Sequence, residues 1–241
     1  MKNMKTAGTV IMGVVVAALL GGCGVGSYQA RSVDLKQAAL VNPELLKEGK
    51  DDQALYRYVK PNVDIKQYSK VLIDPVLVRK DGELDKDELE NYQKLANNAF
   101  VYLNQELGKD YSVVKMPEPG TLRIQLAITD ADSAKPVRNT LSTLMPIGMG
   151  ISLIKYAATG KQSGVGEITV EIRISDAATG ELLGAALDRR VGGKELSELW
   201  SSWHNADSAL LYWAQKTRWV FCDMRGGGTK CVKPGAETES K

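Results

Sequence analysis

Apolar and polar residues alternate most regularly between residues 167 and 174, where isoleucine or valine occupies every even-numbered position. A period of two is typical of a β-strand that buries one face. A turn rich in Asp, Thr and Gly follows at residues 175–181, and a second apolar-rich run covers residues 182–190. This part of the chain therefore predicts a β-hairpin.

Three further segments predict strands. Residues 70–78 are almost continuously apolar, which favours a strand buried on both faces. Pro75 within them indicates a bulge or an edge position, because proline lacks the N–H that a sheet ladder needs. Residues 111–115 predict a short strand, and residues 121–129 alternate strictly, with leucine and isoleucine on one face.

Apolar residues spaced three or four apart predict two helices. The first begins near Asp85 and Glu88, which are spaced as in a capping box, and stops at Gly108. The second follows Gly193, and its apolar stripe comprises Leu196, Leu199, Trp203, Ala206, Leu210, Trp213, Thr217 and Val220.

The order of these elements predicts an α/β chain of the α+β type, organised as a single domain over residues 35–232. We expect a mixed, largely antiparallel sheet of about five strands with two main helices packed on it. Short helical stretches and breakers in residues 35–60 indicate an extension that wraps the domain. Residues 233–241 lack apolar periodicity and are predicted to be a disordered tail.

The first residues carry a different pattern, in which Lys2 and Lys5 precede an uncharged apolar run over residues 7–20. That order is typical of a secretory signal peptide, and the run is too short for a spanning helix. Because two glycines and Cys23 follow it, the segment resembles a bacterial lipoprotein signal. The resemblance implies a signal peptide of residues 1–22 and acylation of Cys23. A conventional secretory peptide and an uncleaved anchor are the alternatives.

The residue after the anchor is Gly24 rather than the Asp that often retains lipoproteins in the inner membrane. The resemblance therefore implies the outer membrane, with the domain facing the periplasm. Residues 23–34 are mostly small and polar and are predicted to be a tether. Several acyl chains would hold the chain on a membrane effectively permanently.

Composition narrows the class of protein. The 241 residues are 44% hydrophobic and 25% charged, which excludes collagen-like, disordered and polytopic membrane chains. The formal net charge is +2, but the two leader lysines supply it, so the chain from Cys23 onward is neutral. Neither value gives the basic surface that binding of a nucleic acid requires.

Once Cys23 is assigned to the lipid, Cys222 and Cys231 remain as an even pair in an oxidising compartment. Three consecutive glycines between them allow the chain to turn back, so we expect a structural disulfide. The alternatives are a metal pair, which lacks further Cys or His ligands, and a redox dithiol, which usually has Cys-x-x-Cys spacing.

Residues with catalytic or metal-binding chemistry are sparse. The single histidine, His204, lies on the last predicted helix without sequence-visible partners, and no Gly-x-Ser-x-Gly motif occurs. Asp130, Asp132 and Asp176 lie at strand ends and turns, where carboxylates usually cap the backbone. We therefore expect no catalytic residue, no metal site and no cofactor, with an envelope hydrolase at His204 as an alternative.

Residues 139–154 are apolar and uncharged, and they are too few to span a bilayer as a helix. They predict either a crossover that covers one sheet face or an exposed contact with a membrane or a neighbouring subunit. The residues of that contact are Leu144, Met145, Ile147, Met149 and Ile151.

Several segments together resemble a family of proteobacterial outer-membrane lipoproteins of unknown function. The resemblance covers most of residues 55–222 and rests mainly on Val71-Leu72-Ile73-Asp74-Pro75-Val76 and Ser175-Asp176-Ala177-Ala178-Thr179-Gly180-Glu181. It implies no particular activity. More distantly, the element order is similar to that of lipid-anchored periplasmic domains that form rings for export, such as the curli secretion channel.

The sequence therefore predicts a lipid-anchored, non-catalytic binding or structural module of the cell envelope. Its expected partners are the membrane, through the lipid on Cys23, and either an unknown envelope protein or a second copy of the chain. The alternative is an oligomeric, ring-forming accessory lipoprotein of a secretion or transport system.

Overall fold

The computed structural model describes residues 27–81, 86–130, 142–146, 167–192 and 202–234. Within these residues the chain forms two long helices and ten strands. The helices are α1, Lys86–Leu107, and α2, Ser202–Met224. The strands are β1, Ser27–Gln29; β2, Lys47–Glu48; β3, Tyr56–Val59; β4, Lys70–Ile73; β5, Leu77–Asp81; β6, Ser112–Val114; β7, Thr121–Asp130; β8, Ser142–Pro146; β9, Glu167–Asp176; and β10, Leu182–Gly192.

The strands form one mixed sheet in the order β2-β3-β10-β9-β7-β4-β6, with β1 beside β10, β5 beside β7, and β8 beside β5. The strands on the β9 side of β7 pair antiparallel, whereas β7 runs parallel to β4 and β5, and β4 runs parallel to β6. The α+β class with two main helices is confirmed. The expectation of about five strands is too low, and "largely antiparallel" omits the parallel pairs around β4.

The apolar run at residues 70–78 forms two strands, β4 and β5, because residues 74–76 interrupt it. Both strands pair with successive parts of β7, so together they act as one broken strand of the sheet. The predicted irregularity at Pro75 is confirmed. Asp74, the residue before it, forms an ion pair with Arg123 of β7 at 2.8 Å.

Helices α1 and α2 pack against each other and against one face of the sheet, where they enclose the larger core. The apolar stripe predicted for α1 is confirmed, since its residues from Leu95 to Leu107 that face the sheet are buried. Asp207 of α2 joins the helices by accepting hydrogen bonds from Asn98 Nδ2 at 2.6 Å and Tyr102 Oη at 2.7 Å. The described part of α2 begins at Ser202, and residues 193–201, including Leu196 and Leu199, lie outside the described residues.

The opposite face of the sheet is covered by the N-terminal segment, residues 33–46. Val33 and Leu46 form a second apolar cluster with Ala185 and Leu187 of β10. In β9, the fully buried carboxylate of Glu171 accepts hydrogen bonds from the backbone N–H groups of Ala39, Leu40 and Val41 at 2.5, 2.7 and 3.1 Å. One buried side chain thus fixes three consecutive residues of the segment to the sheet.

Strands β1 and β9 begin, and β7 and β10 end, at the same end of the sheet. Because β1 pairs with β10 from Ser27 onward, the C-terminal part of the predicted tether, residues 23–34, belongs to the fold. The chain between Cys23 and Ser27 can extend by at most about 14 Å. Cys23, the leader, Asp85 and the tail from residue 235 lie outside the described residues.

The titration of Glu171 gives a pH-dependent prediction. Burial raises the pKa of Glu171 above its usual value, although the three backbone N–H groups oppose the shift. The folded chain therefore binds this proton more tightly than the unfolded chain. The stability that the group contributes is greatest below the unfolded pKa, near 4.5, and is lost as the pH rises through the raised value.

We therefore expect the free energy of unfolding of the wild type, relative to Glu171→Gln, to decrease with rising pH by at most about 1.4 kcal/mol per pH unit. Urea unfolding of both proteins from pH 4 to 8 measures the slope. Glu48→Gln, at an exposed position of β2, is the matched control for the charge change. A relative stability that grows with pH would mean that the backbone N–H groups outweigh burial.

Candidate functional site

A partly enclosed apolar groove lies between α2 and the sheet within the described residues. It has a volume of about 300 Å³, which is at the lower end of the range of small-molecule sites, about 300–1,000 Å³. One wall is α2, from Tyr212 to Met224, and the other is the helix-facing side of β3, β9 and β10.

The floor of the groove exists because β10 carries small residues where it faces α2. Gly184 and Ala186 line the groove and lie opposite Val59 and Arg57 of β3. A Cβ atom added to Gly184 would lie 3.5 Å from the carbonyl oxygen of Tyr58 and 3.9 Å from Ile174 Cδ1, which are ordinary van der Waals contacts with the neighbouring strands. Gly184 has no side chain and Ala186 only a methyl group, so the space between α2 and the sheet is left unfilled at these two positions and forms the groove.

One end of the groove is closed by hydrogen bonds that converge on Asp188 of β10. Its Oδ1 accepts from Gln29 Nε2 at 2.7 Å and from the Leu55 backbone N–H at 3.1 Å. Its Oδ2 accepts from Trp213 Nε1 at 2.9 Å. The buried carboxylate thus joins β1, the segment before β3, and α2.

A buried cation lies beside this carboxylate. The Arg190 guanidinium stacks on the ring of Tyr212, 3.6 Å from its centroid. Burial lowers the pKa of Arg190, and the nearby Tyr212 and Asp188 oppose the shift. These groups are satisfied by one another, so the closed end of the groove is structural.

The open rim of the groove carries charged residues of both signs. Lys216 forms an ion pair with Asp52 at 3.2 Å and lies 4.2 Å from the centroid of the Trp219 ring. Arg57 lines the groove, and its guanidinium has no ion pair or hydrogen bond within the described part of the chain. Asp223, which also lines the rim, is exposed near the end of α2.

The predicted disulfide is confirmed, because Cys222 at the end of α2 is bonded to Cys231. Gly226 and Gly228 turn the chain back with φ values of +81° and +53°. Gly227 gives the bond its space, since a Cβ there would lie 2.6 and 2.7 Å from the two sulfurs. The disulfide lies at the end of α2 remote from the closed end of the groove.

The other predicted contact residues are only partly within the described chain. Leu144 and Met145 belong to β8, where they pair with Arg79 and Val78 of β5. Ile147, Met149 and Ile151 lie outside the described residues, as does Cys23. Whether these residues form a membrane or subunit contact stays a prediction.

The predicted capping role of Asp176 can be checked in the structure, whereas the candidate role of His204 cannot. Asp176 caps the turn between β9 and β10, accepting from the backbone N–H groups of Ala178 and Thr179 at 2.9 and 2.8 Å. His204 is in the first turn of α2, and its side chain lies outside the described residues, together with Asp132. Within the described ranges there is no group of three or more His, Cys, Asp or Glu side chains that could hold a metal ion.

No described helix has both the length and the apolar character needed to cross a membrane. The groove itself is a feature that sequence reasoning missed. The available signal was the run Gly184-Ala185-Ala186 within the predicted second strand of the hairpin, which is unusually small for a strand packed under a helix.

Together these features define an α+β protein with a mixed sheet, one helical layer and an apolar groove between them. The chain belongs to the family described as protein of unknown function, DUF3313, whose model matches residues 36–217. A comparison with curated proteins finds no match.

Solved structures that are similar to the chain include the PelC dodecamer from Paraburkholderia phytofirmans. Its sequence is 11% identical, the TM-score is 0.37, and the match covers 67% of this chain and 94% of that chain. A point variant of the same dodecamer is 12% identical with a TM-score of 0.34, and the match covers 64% of this chain and 88% of that chain.

The network at the closed end of the groove gives a stability prediction. We expect Asp188→Asn to lower the free energy of unfolding by about 1–3 kcal/mol. The asparagine NH₂ group would replace one carboxylate oxygen, and it would then point its own hydrogens either at the Trp213 N–H or at the donors of Gln29 and Leu55. Urea unfolding measures the change. Asp52→Asn, at an exposed carboxylate, is the control and should change stability by less than about 0.5 kcal/mol. An equal effect of both variants would contradict a structural role for Asp188.

Proposed function

We propose that the protein is a lipid-anchored module of the cell envelope that binds an apolar ligand in the groove between α2 and the sheet. It acts without catalysis, at the periplasmic face of the outer membrane, and is attached through lipid on Cys23. The observation that carries the binding role is the groove of about 300 Å³. Ligand sites are typically apolar clefts of this kind with a few polar groups at the rim.

The anchoring part of the proposal rests on the leader and on the start of the fold. Two lysines, an apolar run and two glycines precede Cys23, as in bacterial lipoprotein signals. The sheet begins at Ser27, only four residues after the proposed lipid. If Cys23 is acylated, so short a connection holds the end of the sheet where β1 begins close to the bilayer surface.

The non-catalytic part of the proposal is supported by how the polar residues around the groove are used. Asp188 accepts three hydrogen bonds from structural donors, and Lys216 is paired with Asp52. Because these groups are hydrogen-bonded or ion-paired with one another, they hold the walls of the groove in place and are not available for proton transfer. The groove therefore offers a shape and an apolar surface to a ligand.

The anchor is tested by replacing its cysteine. We expect Cys23→Ser to abolish incorporation of radiolabelled palmitate into the full chain expressed in a Gram-negative host, because the lipid of a lipoprotein is attached through the sulfur of this cysteine. A Cys222→Ser/Cys231→Ser double variant, which removes the disulfide and keeps Cys23, should retain the label. Label that persists in Cys23→Ser, or that is absent from the parent chain, would refute the lipid assignment.

A second candidate function is an oligomeric accessory lipoprotein, and an open sheet edge favours it. Strand β6 pairs with β4 on one side and with no other described strand. Val113 of this strand is 42% exposed, and Met116, two residues after the strand ends, is 70% exposed. Exposed strand edges with apolar side chains are templates for pairing between chains.

This candidate predicts that Val113→Lys disrupts an oligomer, because a lysine on an edge strand opposes pairing between strands. Chemical crosslinking of the full chain in cells, followed by electrophoresis, would show a ladder for the parent that is lost in this variant. Val101→Lys, at a similarly exposed valine of α1, is the matched control and should keep the ladder. A parent chain that remains monomeric would exclude the oligomeric function.

A further inference from the structure

We propose that the groove binds a single-chain amphiphile with an anionic headgroup, whose alkyl chain lies between α2 and β10 and whose headgroup is held by Arg57. This inference rests on the binding groove of the proposed function and names the class of its ligand. It depends on the apolar walls, on the depth of the groove and on the charges at its rim.

The depth of the groove suits an alkyl chain. It reaches Leu126 of β7 and Val170 of β9, which are only 4% and 3% exposed and belong to the main core. Gly184 and Ala186 form the floor between these residues and the rim. An alkyl group that enters here is transferred from water to a site with apolar surfaces on both sides. The expected gain in affinity is about fourfold for each buried CH₂.

The size of the groove favours one chain over two. At about 300 Å³ it is at the lower limit of small-molecule sites. Its long wall, from Trp213 to Met224 of α2, is about 16 Å long at 1.5 Å per helical residue. A groove of this volume and length accommodates a single extended alkyl chain.

The rim charges favour an anion. Lys216 is neutralised by Asp52, and Asp188 is saturated by three donors. Arg57 is half-buried, and its guanidinium has no described partner, so a carboxylate or phosphate beside it would complete its hydrogen bonding. The acidic rim residue Asp223 is exposed, so water screens its repulsion of an anion.

Photocrosslinking of the full chain in a detergent-free cell lysate tests the proposal. The probe is a dodecanoic acid that carries a diazirine on its chain, and mass spectrometry maps the labelled peptides. We expect labels in β10 and in the α2 segment from Trp213 to Met224. Unlabelled dodecanoate should compete more strongly than octanoate, in line with the gain for each buried CH₂.

Three variants separate the contributions of chain and headgroup. Arg57→Gln should reduce labelling by the acid about tenfold, since it removes a charge-assisted hydrogen bond. Ala186→Leu should reduce labelling at least as much, because its side chain fills the groove. Lys94→Gln is the control and should leave labelling unchanged, since Lys94 is an exposed lysine of α1 that does not line the groove.

Two further probes make the possible failures distinguishable. They carry the same diazirine chain on a neutral alcohol or on a trimethylammonium headgroup. Equal labelling of the groove by all three probes, with no effect of Arg57→Gln, would overturn the anionic headgroup and leave groove binding intact. Labelling by none of the probes, or labelling that Ala186→Leu does not reduce, would overturn groove binding and the proposed function with it.

Discussion

The β9–β10 hairpin carries two buried carboxylates, one on each face of the sheet, and the segments that cover those faces are attached to them. Glu171 lies opposite Leu187, and the next pair along the ladder is Val170 and Asp188, so the two acids point to different sides. Glu171 binds the N-terminal segment through three backbone N–H groups, and Asp188 binds β1, the segment before β3, and α2. A buried carboxylate is costly unless its oxygens are hydrogen-bonded, so each acid specifies where its partners must lie.

This arrangement explains how the groove can remain open under a packed helix. Asp188 fixes α2 at Trp213, near the middle of the helix, and the disulfide joins Cys222 near its C-terminal end to Cys231 in the segment that follows. Between these points the small residues Gly184 and Ala186 do not fill the distance to the helix. A well-packed core would normally close such a space, because voids lose dispersion contacts. Here Gly184 and Ala186 leave the space beside α2 open, next to the point where Asp188 fixes Trp213.

The position of β1 links the fold to the proposed anchor. The strand is three residues long and lies at the end of the sheet where β7 and β10 also end. Gln29 of β1 donates a hydrogen bond to Asp188 and also lines the groove. A lipid on Cys23 would therefore be connected to the groove through only a few residues of chain. This short connection would keep the groove near the bilayer, where single-chain amphiphiles partition.

The amino-acid sequence by itself determined the elements whose pattern is local. The alternation in β7 and β9, the helical stripe of α1, the irregularity at Pro75 and the glycine turn that closes the disulfide could all be predicted, because each depends on residues within a few positions of one another. The lipid on Cys23 also follows from a local pattern and stays a prediction. The short strands β1, β2, β3 and β8 could not be predicted, since strands of two to five residues carry little periodicity and form only through pairing with distant segments.

The tertiary structure alone decided the parallel pairs, the burial of Glu171 and Asp188, and the groove. Their physical cause is the same, because each is defined by partners that are distant along the chain, from 25 residues for Trp213 and Asp188 to 133 residues for Leu55 and Asp188, and no local pattern records them.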